Sequence, residues 1–207
     1  PNGVDLELYP ERAGAREAAR AALGLSPGEL VLGFVGFYRE WHRLELAVDA
    51  LARPALERAR LVLIGEGPAR TAIERRAREA GVASRVHLAE PRPHGEIPAL
   101  LAAFDVALLP AINPYASPLK LIEYMAAARA IVAPDQENLR ELLEHDRNAL
   151  LVAPGDGQAL AGALERLAED PALRERLGRA ARASVVERDL TWRGNARRVV
   201  AAVRELL

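Results

Sequence analysis

The chain has 207 residues, half of them hydrophobic, with 28 basic against 29 acidic side chains and a formal net charge of −1. That length and apolar content suit one α/β domain with its own core, while the balanced charge, the 4% aromatic content and the lack of a basic run argue against nucleic acid as a partner and for a small molecule. Cysteine is absent, which excludes a disulfide framework, a thiolate metal site and a cysteine nucleophile, and fits a reducing, cytoplasmic location.

The chain opens on Pro1-Asn2-Gly3-Val4-Asp5 without a methionine, as a piece of something longer would, and its Asn-Gly pair is a turn signal. Helix formers between Leu6 and Leu25 stop at Gly24, and Ser26-Pro27-Gly28 is a turn. Six short, nearly unbroken apolar runs then follow: Val31 to Gly36, Leu61 to Gly65, Arg85 to Leu88, Asp105 to Leu109, Ala130 to Ala133 and Leu150 to Ala153. Runs of this length bounded by turn signals are expected of parallel strands buried on both faces. With helical patterns between them they predict βαβ units and a Rossmann-like, doubly wound parallel sheet, a single domain over residues 1–207. Ligands of such sheets lie beyond the carboxyl ends of the strands, near the topological switch. Three helical stretches, Gln158 to Glu169, Pro171 to Glu187 and Trp192 to Leu207 after a Thr191 cap, close the chain. No apolar run reaches the roughly 18 residues needed to span a membrane.

Several residues carry chemistry. Gly36, after the first strand, permits close backbone approach to a ligand, and Arg39 or His42 just beyond it supplies positive charge. Gly65-Glu66-Gly67-Pro68 ends the second strand with Pro68 at the first position of the next helix, and is either a tight turn or a backbone laid against a ligand; without a third glycine it is a weak dinucleotide fingerprint. His87 in a strand, His94 at a helix start and Asp105 at a helix-to-strand turn read as structural. Ser117-Pro118 places an N-cap and a first helical residue before an apolar helix, leaving its first N–H groups open to an anion. Lys120 falls in that first turn, where a cation is ordinarily disfavoured, and it is the only lysine, so 27 of the 28 basic residues are arginine. An anionic partner resolves the conflict; the alternative is a solvated lysine on a capped surface helix.

The run S-P-L-K-L-I-E-Y-M-A, together with P-N-G-V-D at the start, G-E-G-P after the second strand and N-A-L-L-V-A-P-G-D near Asn148, resembles the donor-nucleotide half of retaining glycosyltransferases of the GT-B fold, the group 1 or family 4 kind. The resemblance covers essentially the whole chain and implies a nucleotide-sugar-binding domain, with the N-terminal acceptor domain of a longer protein absent. It implies that Ser117, Pro118, Lys120 and Leu121 hold the donor diphosphate with Gly36, Arg39 and His42, that Gly65, Gly67 and Val86 lie along the nucleotide, and that Glu123 accepts both hydroxyls of the ribose diol. The family's usual second glutamate, with seven residues between it and the ribose glutamate, is Tyr115 here, expected to face the transferred sugar. Glycines of the family pattern are replaced by Arg43, Ala128, Asp146 and Ala149, and a methyl group there is expected to obstruct approach to phosphate. No D-x-D sequence occurs, so the implied chemistry is glycosyl transfer without metal or other cofactor. Peripheral membrane association of the parent protein is compatible with this; the other readings are a non-catalytic nucleotide-binding module and a sugar-nucleotide epimerase.

Overall fold

The computed structural model describes residues 2–9 and 14–205. Six strands, β1 (Leu30–Val35), β2 (Ala59–Ile64), β3 (Val86–Ala89), β4 (Val106–Leu108), β5 (Ala130–Pro134) and β6 (Leu150–Val152), form one sheet in the order β3-β2-β1-β4-β5-β6. Every pairing is parallel. All six stand within two residues of the apolar runs that predict them, because a strand covered on both faces is nearly continuous in hydrophobic residues.

Alternate side chains enter two cores. Val31 and Val35 of β1 and Val62 and Ile64 of β2 face one side. Leu32, Phe34, Leu61 and Leu63 face the other. The first side is covered by α1 (Ala15–Ala22), α4 (Ile97–Leu101), α5 (Leu119–Ala126) and the carboxyl half of α8 (Pro171–Glu187); the second by α2 (Leu44–Ala50), α3 (Arg70–Glu79), α7 (Gly157–Glu169) and Leu173 and Leu177 of α8. The short α6 (Glu137–Arg140) lies between β5 and β6.

Two glycines let elements approach more closely than any side chain allows. A Cβ at Gly33 would lie 2.1 Å from the Phe104 ring, and one at Gly178 in α8 would lie 2.2 Å from the carbonyl oxygen of Ala128. At the amino edge of the sheet, Asp105 is buried and fully engaged. It accepts from Arg16 at 2.5 Å, from Arg20 at 2.7 Å and from the Val31 N–H at 2.7 Å, tying α1 to β1 and β4.

Helix boundaries depart from expectation in three places. Gly24 does stop α1 with a left-handed φ of 63°, but the helix occupies only part of the expected stretch, part of which lies outside the described residues. Pro68 precedes the cap of α3 and is not its first residue. Pro118 has ψ 114° and is the residue before the α5 helix, so Ser117 is not its N-cap. Proline fixes φ and leaves ψ open, so it suits the position before a helix as well as the first one inside.

The last helix, α9 (Trp192–Glu205), begins at a Thr191 side chain that accepts from the Gly194 N–H, and buries only Gly194. Trp192, Val199, Val200 and Val203 stay exposed. Its start is joined to the first residues of the chain, since Val4 donates to Leu190 at 3.1 Å and accepts from Trp192 at 3.3 Å. Among the described residues no helix is long and apolar enough to cross a membrane.

Candidate functional site

β1 and β4 are neighbours from which the chain winds outward in opposite directions, and the loops leaving their carboxyl ends diverge there. Between those loops is a cleft of about 420 Å³, lined by Gly36, Phe37, Arg39, Trp41 and His42 from the β1 side and by Ile112, Asn113, Ala116, Pro118 and Lys120 from the β4 side. Four of the sequence-predicted ligand residues other than Lys120, namely Gly36, Arg39, His42 and Pro118, are therefore brought together with it.

Lys120 is half buried in the first turn of α5. Its Nζ lies 4.0 Å from the centre of the Phe34 ring and 3.4 Å from Nε2 of His42. Gly36 makes this position possible, because a Cβ there would stand 2.7 Å from Nζ. Burial lowers the lysine pKa to about 8, with the Glu123 charge partly opposing. Beside it the N–H groups of Leu119 and Lys120 meet no acceptor among the described residues, so an ammonium and two open donors share the amino end of α5.

His42 is 7% exposed and meets the Phe34 ring edge-on at 5.0 Å. Burial, then the Lys120 and Arg39 charges, lower its pKa to about 4, so it does not supply the positive charge expected of it. An ammonium only donates, so Nε2 must accept from Lys120 and the ring proton belongs on Nδ1, toward the Phe37 carbonyl. The Arg39 N–H, 3.4 Å from Nδ1, bonds that same carbonyl at 3.0 Å. Positive charge at the mouth falls to Arg39, whose guanidinium lies 4.6 Å from the Phe37 ring and 5.2 Å from that of Trp41.

Glu123, one turn after Lys120, is 5% exposed. Its Oε1 accepts from Nε2 of His94 at 2.8 Å. Neither residue lines the cleft; His94, read in the sequence as a helix start only, pairs with the predicted diol ligand, and no local pattern signals it, because the contact joins residues 29 positions apart.

Other predicted residues lie elsewhere. Gly65 and Gly67 have φ of 138° and 147°, but added Cβ atoms would strike Gly36 O at 2.2 Å and Tyr38 N at 2.5 Å, so these glycines are needed to pack one loop on another. Neither lines the cleft. Val86 begins β3, paired with Leu61, three residues before the carboxyl end at which ligands of such sheets lie. The register of the strand, invisible in the apolar run, places it away from the cleft. Leu121 is fully buried and its N–H donates to Pro118 at 3.1 Å, so that donor is spent. Ser117 is exposed and its carbonyl accepts from Asn2. Tyr115 is 86% exposed and does not face the cleft. A turn from Asn113 to Ala116, held at both carbonyls by the Asn138 amide, sends its side chain to solvent.

The lost glycines prove to be conformational. Arg43, Ala128 and Asp146 have φ of 49°, 54° and 58°, three of the four non-glycine residues in the left-handed region among the described residues. Neither Ala128 nor Asp146 lines the cleft, so neither methyl nor carboxylate there obstructs an anion. Ala149 is buried beside the bridge to His145.

The sequence model of the family described as glycosyl transferases group 1 matches residues 15–184. A 2-deoxystreptamine glucosyltransferase of Streptomyces kanamyceticus is 32% identical over 83% of this chain and 45% of its own length. A D-inositol 3-phosphate glycosyltransferase of Nocardia farcinica is 33% identical over 86% of this chain and 40% of its own. Among solved structures, sucrose-phosphate synthase of Thermosynechococcus elongatus superposes with a TM-score of 0.87 at 28% identity, over 100% of this chain and 51% of that one. Anabaena HepE, in complex with UDP and glucose, superposes equally well at 23% identity, over 100% of this chain and 56% of that one. The chain therefore spans about half the length of the relatives it matches. With its sheet order, its helix-end cleft and the family match over residues 15–184, the chain belongs to the group 1 glycosyl transferases and has the Rossmann-like architecture of their GT-B fold.

Proposed function

We propose that this domain binds the nucleotide-sugar donor of a glycosyl transfer reaction, with the acceptor held by a further domain of a longer protein. The observation that carries it is that Lys120, in the first turn of α5 where the N–H groups of Leu119 and Lys120 are open, lines a cleft at the topological switch. Charge growing on a departing diphosphate is stabilised there by Lys120, Arg39 and the helix end, in the role a divalent cation plays in other transferases. Gly36 lets Lys120 reach that position, and the Glu123 carboxylate, one turn further along α5, receives the ribose hydroxyls. The resemblance to retaining enzymes extends the proposal to transfer with retention. Proteins bearing this fold that bind UDP, and relatives named as glucosyl and glycosyl transferases, support it.

The test is calorimetry of Glu123→Gln against a ribonucleoside diphosphate and its 2′,3′-dideoxy analogue. The variant loses affinity for the first and keeps it for the second; equal loss assigns Glu123 to fold stability. A binding-only module is the second reading, favoured by the lack of any carboxylate among the residues lining the cleft. Incubating the intact parent protein with nucleotide-sugars and candidate acceptors separates the two, since a binding-only protein forms no glycoside.

A further inference from the structure

The Glu123 carboxylate is almost wholly buried, yet only one of its oxygens is spoken for. Oε1 accepts from His94 at 2.8 Å, whereas Oε2 has no hydrogen-bond partner among the described residues and is not sealed from solvent. Such an oxygen is an acceptor still in need of a donor. Lys120 does not relieve it, since its ammonium is turned to Phe34 and His42. Tyr124 is engaged too, its hydroxyl accepting from the Val35 N–H at 2.9 Å.

His94 is the converse case. Its side chain is 70% exposed, it stands in the turn His94–Glu96 after Pro93, and Glu123 is the one side chain it bonds among the described residues. The turn is anchored by α4, which continues directly from it and buries Ile97, Leu100 and Leu101. A surface histidine on an anchored turn, reaching inward to one oxygen of a buried carboxylate, restricts that carboxylate to one orientation. The other oxygen is left without a partner among the described residues.

We propose that His94 is a positioning residue for the nucleoside end of the site: it holds Glu123 so that Oε2 is presented to the vicinal diol of a ribose. The proposal rests on the donor-binding reading above. A glutamate has three side-chain torsions, and fixing them before the ligand arrives removes an entropic cost of binding. The effect is confined to ligands that use the carboxylate, which distinguishes it from a general contribution to the fold.

The experiment is calorimetric titration of the 207-residue chain with UDP, GDP and ADP, each beside its 2′,3′-dideoxy analogue. His94→Ala, at an exposed position, should weaken the best-bound ribonucleotide roughly tenfold, the lower end of what a hydrogen bond to a charged group contributes. Its dideoxy analogue should bind as to the original chain. His94→Gln, whose amide nitrogen can occupy the place of Nε2, should restore most of the loss. In a Glu123→Gln background, His94→Ala should cost nothing further. Unchanged ribonucleotide affinity in His94→Ala, or equal weakening of both ligands, overturns the positioning role while leaving the donor site intact. If Glu123→Gln itself fails to discriminate ribose from dideoxyribose, Glu123 serves the fold and not the diol, and the role of His94 falls with it; loss of all diphosphate binding by the original chain would instead overturn the donor-site reading.

Discussion

Lys120 shows what the sequence discloses about a residue and what it withholds. Its singularity among 27 arginines and its place at a helix start are enough, on sequence alone, to mark it as a candidate anion ligand. What it rests against in the cleft is not legible, because the Phe34 face and the neutral His42 come from β1 and the turn after that strand. With a pKa lowered to about 8, the ammonium is present at pH 7 and lost as pH rises through 8, and a bound diphosphate favours the charged form. Affinity for a nucleoside diphosphate should therefore fall between pH 7 and pH 9.5, with proton uptake on binding near pH 8; titration in buffers of differing ionisation heat measures both. Lys120→Ala should lose about 1.5–3 kcal/mol of diphosphate affinity and leave nucleoside affinity unchanged. The empty domain answers to pH in the opposite sense. The unfolded chain holds the Lys120 proton up to about pH 10.5, the folded one only to about 8, so stability rises across that window, and Lys120→Met should raise the melting temperature at pH 7. His42 acts at the acid end. Its folded pKa of about 4 lies below the usual 6.5, so its contribution is complete above pH 6.5 and is lost as pH falls toward 4. That loss amounts to about 3 kcal/mol. His42→Gln should flatten the acid limb of a denaturation series run between pH 4 and 7.

At the scale of elements, strands were legible and helix ends were not. Buried parallel strands advertise themselves as apolar runs, whereas Pro68 and Pro118 satisfy two adjacent roles at a helix start and the sequence cannot separate them. The missing glycines of the family pattern are a sharper case. Their positions were readable, but their purpose was backbone conformation at Arg43, Ala128 and Asp146, not room for phosphate. An alanine held left-handed costs roughly 1–2 kcal/mol, part of which glycine returns as extra freedom of the unfolded chain. Ala128→Gly should thus stabilise the domain by about 0.5–1 kcal/mol in urea denaturation. Gly178→Ala tests the opposite intuition. In a helix interior that change ordinarily stabilises by about 0.5–1 kcal/mol, but here the new methyl group would press on the Ala128 carbonyl where α8 meets α5. A loss of about 1–3 kcal/mol is expected instead, the usual range for overpacking.

For the whole molecule, the sequence made the architecture plain because six strands, their order of appearance and the motif at Ser117 to Glu123 all point to one topology, which the sheet order β3-β2-β1-β4-β5-β6 matches. What it could not supply was distance along the strands: Val86, expected along the nucleotide, stands at the amino end of β3, and Tyr115 shares the loop with the cleft yet is 86% exposed and outside its lining. Binding should report on the entire fold, since a ligand at 100 times its dissociation constant adds about 2.7 kcal/mol of stability. A thermal-shift series with UDP, GDP and ADP then ranks the bases. The cleft also carries its own optical label. Only two tryptophans occur, Trp192 at the start of α9 and Trp41 at the mouth of the cleft with the Arg39 guanidinium against its ring. A diphosphate that draws Arg39 toward itself lifts a cation off an indole, changing the emission of Trp41. In a Trp192→Phe chain that emission comes from Trp41 alone, so occupancy of the cleft can be followed by intrinsic fluorescence, without a dye or a labelled nucleotide.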